Sequence, residues 1–136
     1  MKASIKDFEI MAPVGSRESL AAAIQAGADS IYFGIESLNM RARSASTFTV
    51  NDLREIAQIC DKHGIKSYLT INTIIYDEDI ALMRTIVDAA KEAGISAVML
   101  RMCGNGLLLR GGAGSTLSTQ LNISNAGALK FYARFS

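Results

Sequence analysis

The chain has 136 residues, of which 49% are hydrophobic and 20% charged, and its formal net charge is +1. These values fit one globular unit, exclude a disordered chain, and give no long-range field toward nucleic acid or an anionic membrane. No apolar run reaches the roughly 18 residues of a spanning helix, and Lys2, Lys6 and Asp7 lie where a signal peptide would be apolar. We therefore expect a cytoplasmic protein.

The cysteines and the single histidine limit the available chemistry. Cys60 and Cys103 belong to neither a C-x-x-C pair nor a spaced metal motif, so we expect reduced thiols and no metal site. His63 lies at the end of a predicted helix, where capping is favoured over catalysis. Without a partner from outside the chain, a Ser-His-Asp or Cys-His arrangement is excluded, and H-E-x-x-H zinc chemistry is absent.

A unit consisting of an apolar run, a polar loop, an amphipathic stretch and a glycine recurs along the chain. The first unit predicts a strand at 8–12 and a helix at 17–26, closed by Gly27 in a left-handed conformation. Ser16 directly precedes Arg17-Glu18 and is favoured as the helix N-cap over a role as nucleophile.

The second unit predicts a strand at 30–35 and, after a long loop, a helix that starts near Asn51 and ends at Gly64. Asp29 directly precedes the strand, at the end opposite to its loop, and is interpreted as structural. The helix has apolar residues at i, i+3, i+4 and i+7 on one face. These residues are Leu53, Ile56, Ala57 and Cys60.

Two further strands are predicted at 67–72 and 97–100. Between them, Asp77 is predicted to cap a helix that Gly94 closes. The apolar stripe of this helix consists of Ile80, Met83, Val87 and Ala90.

The strands are almost continuously apolar, as in Ile31-Tyr32-Phe33, which is typical of a parallel sheet covered on both faces. A complete β/α barrel has eight units and needs about 250 residues, whereas this chain has about five units. It therefore forms either an open doubly wound sheet or part of a barrel. The third strand ends in Asn72-Thr73 without the acid or phosphate-binding glycines of common open sheets. We therefore expect the amino-terminal portion of a TIM-like β/α barrel, truncated, as one domain over residues 1–136.

Reacting groups of β/α barrels project from the carboxyl ends of the strands. That rule indicates Gly15, Ser16 and Gly34, together with a set of polar side chains suited to binding carboxylate or phosphate. The predicted ligand-binding residues are Arg41, Arg43, Asn72, Thr73, Gln120 and Asn122. Gln120 and Asn122 flank Leu121 and therefore share one face of a strand. Alternatively, the two arginines are solvated loop charges and Asn72 only bonds a neighbouring loop.

Three stretches resemble peptidase family U32, the collagenase-like proteases. They are Met11–Ser16 running into Ala22–Gly34, then Tyr68–Thr73, then Ser118–Asn125, and Met40–Arg43 with Phe48 is similar to an Arg-containing loop of that family. The resemblance implies a barrel-like amino-terminal domain followed by a carboxy-terminal region. Some family members carry a collagen-degrading activity and others hydroxylate RNA bases or quinone precursors. Some of these hold an iron–sulfur cluster, whose matching cysteines are not visible in this chain.

The segment 101–116 departs from the family pattern. Its glycines make a helix costly, by roughly 1 kcal/mol each relative to alanine. Because the match stops abruptly and resumes at Leu117, we hypothesise a shifted reading frame here. A phosphate-cradling loop is the alternative, but neither G-x-x-x-x-G-K-[ST] nor G-x-G-x-x-G is present.

Three alternatives remain, of which the first two follow from the resemblance and the third from the atypical segment and the apparent truncation. The first is a fragment of a U32 peptidase that acts on peptides and is inactive alone. The second is an enzyme that hydroxylates tRNA or rRNA bases, and the third is a non-functional truncated gene product. We expect no cofactor on this chain, no membrane partner, and self-association through exposed barrel edges.

Overall fold

One parallel sheet organises the protein. The computed structural model describes residues 7–35, 48–71, 76–100, 115–117 and 123–134, with residues 100 and 115–117 described by their backbone. The strands are β1 (Met11–Pro13), β2 (Ser30–Phe33), β3 (Lys66–Ile71), β4 (Ala97–Leu100) and β5 (Ser115–Leu117). Their order is β1-β2-β3-β4-β5 and every neighbouring pair is parallel. Sequential order is that of a barrel wall, whereas a doubly wound sheet reverses its order. The predicted partial barrel is confirmed.

Three of the described helices connect successive strands from β1 to β4, and a fourth follows β5. They are α1 (Arg17–Gln25), α2 (Leu53–Lys62), α3 (Ile80–Ala93) and α4 (Ala126–Tyr132), and short 3₁₀ turns at Val50–Asp52 and Asp77–Asp79 lead into α2 and α3. Gly27, Gly64 and Gly94 follow the first three helices with φ of 76°, 66° and 89°. Only glycine adopts this left-handed conformation freely, which explains why the repeat ends in glycine.

The helix faces that pack on the sheet follow the predicted spacing. In α2, Leu53, Ile56, Ala57 and Cys60 are all buried, as predicted. In α3 the buried residues are Met83, Ile86, Val87 and Ala90. Ile86 therefore belongs to the stripe, whereas Ile80 is only partly buried because it opens the helix at its first turn.

The sheet has an outer and an inner face, set by the alternation of side chains along each strand. On the outer face Ile31, Phe33, Leu69, Ile71 and Val98 join the helices in one hydrophobic cluster. The register places a different set on the inner face, which lines the interior of the barrel. This set includes Ser30, Tyr32, Lys66, Tyr68, Thr70, Ala97 and Met99.

The first strand begins later than predicted. β1 starts at Met11, and Phe8 and Ile10, counted in the predicted strand 8–12, are 66% and 65% exposed. The Ile10 carbonyl accepts hydrogen bonds from the amides of Asp29 (2.9 Å) and Ser30 (3.1 Å). The segment before β1 therefore approaches the sheet through its backbone, while its apolar side chains point to solvent.

Two local predictions are wrong. Asp77 does not cap α3, because a 3₁₀ turn precedes the helix and Asp79 Oδ2 accepts the Tyr76 amide at 3.1 Å. β3 runs one residue earlier than predicted, from Lys66 to Ile71. In the atypical glycine-rich segment, residues 115 and 116 belong to β5, which pairs with β4.

Candidate functional site

The carboxyl ends of the strands lie at one edge of the sheet, which we call the mouth. Because all described strand pairs are parallel, the last residues of the strands, among them Pro13, Phe33, Ile71 and Leu117, lie at this edge. In β/α barrels this edge carries the functional groups. The mouth is therefore the candidate site.

Ser16 lies at the mouth, between β1 and α1, and acts as the helix N-cap. Its hydroxyl accepts the Ser19 amide at 3.2 Å, and the Ser19 hydroxyl accepts the amides of Ser16 (2.9 Å) and Gly15 (3.0 Å). This reciprocal capping satisfies backbone donors that a helix start leaves free. The predicted role of Ser16 as a cap is confirmed, and Ser19 at the third helical position is the partner that the sequence analysis missed.

Arg17 joins the starts of α1 and α2 beside the mouth. Its Nη2 lies 2.6 Å from Glu55 Oε2 and 3.0 Å from Asp52 Oδ1, and its Nε donates to Glu55 Oε1 at 3.3 Å. Glu55 raises the pKa of Arg17, and Arg17 in turn lowers the pKa of Glu55. The Thr49 amide is the main reason why the pKa of Asp52 is lowered. This exposed cluster positions the first residues after the 36–47 segment.

Phe48, the first described residue after the 36–47 segment, is held in the core. It is buried, forms a parallel bridge with Ile35, and its ring meets the Phe33 ring edge-on with centroids 5.7 Å apart. Ile35 follows β2 closely, so Ile35 and Phe48 lie side by side at the mouth. The segment that carries Arg41 and Arg43 begins and ends there.

The predicted ligand-binding side chains all lie outside the described residues. They are Arg41, Arg43, Asn72, Thr73, Gln120 and Asn122. The described residues fix only their points of attachment. Asn72 directly follows the last residue of β3, and Gln120 follows the end of β5 by three positions. Their assignment as ligand-binding residues stays a prediction.

His63 and Asp29 have the structural roles that were predicted. His63 is the C-cap of α2, and its amide donates to the carbonyl groups of Ile59 (3.3 Å) and Cys60 (3.1 Å). Asp29 Oδ2 accepts the Ile10 amide at 2.8 Å, at the amino end of β2. Neither residue lies at the mouth.

A polar cluster at the opposite, amino-terminal end of the inner face was not foreseen. Glu9 accepts hydrogen bonds from Lys66 Nζ and the Tyr68 hydroxyl, each at 2.9 Å. The lysine is the largest cause of the lowered pKa of Glu9. Lys66 and Tyr68 lie 57 and 59 positions after Glu9 in the chain, so only the register of the strands reveals the cluster.

The described residues do not fit a cysteine-ligated cluster. Cys60 is buried in the core, and burial raises the pKa of its thiol to about 11, which disfavours the thiolate that binds metal. Within the described ranges, no group of three or more His, Cys, Asp or Glu residues could hold a metal ion. Among the helices of those ranges, none has the length and apolarity needed to cross a bilayer.

The sequential parallel sheet, with helices between its strands, defines a protein of the β/α barrel class. A structural comparison agrees, since the whole chain superimposes on 58% of a solved U32 peptidase with a TM-score of 0.73 and 11% identity. The model of peptidase family U32 matches residues 15–136. The chain belongs to peptidase family U32.

Curated relatives have different activities. The chain is 62% identical to a collagenase of Porphyromonas gingivalis strain W83 over 138 aligned positions, covering 98% of the chain and 32% of the collagenase. It is 28% identical to tRNA hydroxylation protein P1 of Bacillus subtilis, covering 93% of the chain and 31% of that protein. The chain thus spans about a third of the length of these relatives.

Proposed function

We propose that this chain forms the substrate-binding mouth of a U32-family peptidase that cleaves collagen-like peptides. The observation that carries this proposal is the gathering of the strand ends at one edge, with the 36–47 segment attached there through Ile35 and Phe48. The 62% identity to a collagenase favours a peptide substrate. Arg41 and Arg43 would form charge-assisted hydrogen bonds with substrate carboxylate groups. The catalytic groups would come from the rest of a full-length protein, and the predicted cytoplasmic location stays a prediction.

A second candidate function is hydroxylation of tRNA or rRNA bases. The alignment with tRNA hydroxylation protein P1 covers 93% of the chain and supports it. In this case the same arginines would contact phosphate groups or a small carboxylate cosubstrate. The third alternative, a gene product without function, predicts neither activity.

Arginine variants of a full-length protein that contains this chain test the site. Replacing both Arg41 and Arg43 with alanine is expected to lower kcat/KM for gelatin cleavage about a hundredfold or more, because each loses a charge-assisted hydrogen bond worth about 1.5–3 kcal/mol. The matched control is Arg84→Ala, an exposed position on α3. Equal activity of both variants would reject the mouth as the binding site.

The two enzymatic functions are separated by mass spectrometry of RNA from a strain that lacks the gene. Loss of a hydroxylated base, with no gelatin cleavage by the full-length protein, would replace the peptidase proposal by the second function. Gelatin cleavage with unchanged RNA would support the peptidase. The absence of both activities would support the third alternative.

We also propose that this chain self-associates through the edge of β1. β1 is an outermost strand of the described sheet, and the exposed side chains of Phe8 and Ile10 lie beside it. An open strand edge flanked by apolar groups can pair with a second copy. In light scattering after size-exclusion chromatography, the chain is expected to form dimers or larger species, and Ile10→Lys to shift it toward monomer. Leu82→Lys on α3 is the control, and a wild-type chain that stays monomeric would reject this proposal.

A further inference from the structure

Glu9 connects two strands that are not neighbours. It precedes β1, whereas its partners Lys66 and Tyr68 lie on β3. Glu9 Oε2 is 2.9 Å from Lys66 Nζ, and Glu9 Oε1 is 2.9 Å from the Tyr68 hydroxyl oxygen. One carboxylate therefore joins the start of the first strand to the third strand, across β2.

Ser30 makes this connection possible. It lies on β2, in register with Met11 on one side and Lys66 on the other, and its exposure is 0%. A longer side chain at this position would occupy the space between Glu9 and β3. The Ser30 hydroxyl has no hydrogen bond of ordinary geometry among the described residues, although it lies close enough to the carboxylate to help lower its pKa.

The segment 7–10 has little apolar attachment to the sheet. The side chains of Phe8 and Ile10 are both about two-thirds exposed. The Ile10 amide donates to Asp29 Oδ2, and the Ile10 carbonyl accepts the amides of Asp29 and Ser30. The segment is therefore held by polar contacts. Among the contacts that the described residues show, only those of Glu9 reach β3.

We propose that Glu9 is a pH-dependent latch that holds the segment 7–10 against β3, and that protonation of its carboxyl group releases this segment from β3 while the hydrogen bonds of Ile10 with Asp29 and Ser30 remain. Release would leave the Ile10 carbonyl contacts with Asp29 and Ser30 unsupported. It would also loosen the entry into β1, the outermost strand. The proposal does not depend on the function of the mouth.

The charges around Glu9 set the direction of the pH effect. The ammonium group of Lys66 is the main reason why the pKa of Glu9 lies below its ordinary value of 4.5. The stabilisation is therefore complete above pH 4.5 and is lost as the pH falls through the lowered pKa. Tyr68 keeps its proton in this range, because the ordinary pKa of its phenol is 10.0 and burial raises it further. Asp29 is a second carboxylate that acts on Lys66 and therefore faces this cluster.

Amide hydrogen exchange on the 136-residue chain tests the latch. The amides of Asp29 and Ser30 report on the segment, because both donate to the Ile10 carbonyl. At neutral pH, Glu9→Gln is expected to lower their protection factors about two- to fivefold, the range for exposed ion pairs. Glu92→Gln, at an exposed position on α3, is the control and should leave them unchanged. Lys66→Met should reproduce the effect of Glu9→Gln.

The pH dependence distinguishes Glu9 from Asp29. In the wild-type chain, the two protection factors should fall on acidification, and this fall should shrink in Glu9→Gln. If the fall persists in Glu9→Gln and disappears in Asp29→Asn, then Asp29 is the titrating group and the proposal is wrong. An equal loss of protection at Leu69 and Ile71 in β3 would also overturn it, because Glu9 would then support the whole sheet.

Discussion

Replacing Leu69 with alanine is expected to lower the free energy of unfolding by about 2–5 kcal/mol. Leu69 has 0% exposure and lies on β3, which pairs with both β2 and β4. Alanine would remove buried methyl groups and leave a cavity between the sheet and its helices. Because β3 lies between β2 and β4, this loss of packing should lower the stability of the described sheet as a whole.

Urea unfolding followed by circular dichroism measures this effect in a chain that has no tryptophan. The matched control is Leu82→Ala on α3, where the leucine is 44% exposed and the expected change is about 0.5 kcal/mol or less. Equal losses in the two variants would contradict the assignment of Leu69 to the core.

The local features of this fold could be predicted from sequence because they depend on near neighbours. The spacing of Leu53, Ile56 and Cys60 identified the buried face of α2, and the closing glycines marked where helices end. The prediction for Asp77 was wrong because a 3₁₀ turn precedes α3 and moves the N-cap of this helix from Asp77 to Asp79. Composition does not encode such a small change in the backbone.

Contacts between distant residues could not be predicted in the same way. The Arg17–Glu55 pair spans 38 positions, and the Glu9–Tyr68 pair spans 59. Each pair depends on how strands and helices are placed relative to one another. The sequence around a charged residue does not indicate which distant residue it will contact. The mouth was predictable as a location because parallel strands share one carboxyl edge, but its ligand-binding side chains rest on sequence alone.

Phe48→Ala is expected to lower the free energy of unfolding by about 3–5 kcal/mol. Phe48 is 4% exposed, and its ring contacts the Phe33 ring at an interplanar angle of 82°. Phe48→Leu keeps most of the burial and loses the ring pair, worth about 0.5–1.5 kcal/mol. Phe8→Ala is the control, because Phe8 is 66% exposed. A Phe48→Ala variant as stable as Phe8→Ala would contradict this packing.

The leucine variant also links this contact to the proposed function. Phe48 and Ile35 join the two ends of the segment that carries Arg41 and Arg43. In a full-length protein, Phe48→Leu should therefore raise KM for the peptide substrate more than it lowers kcat, because the arginines would be held less firmly while the catalytic groups remain in place. A variant with unchanged KM would show that the Phe33–Phe48 contact stabilises the fold without positioning the binding residues.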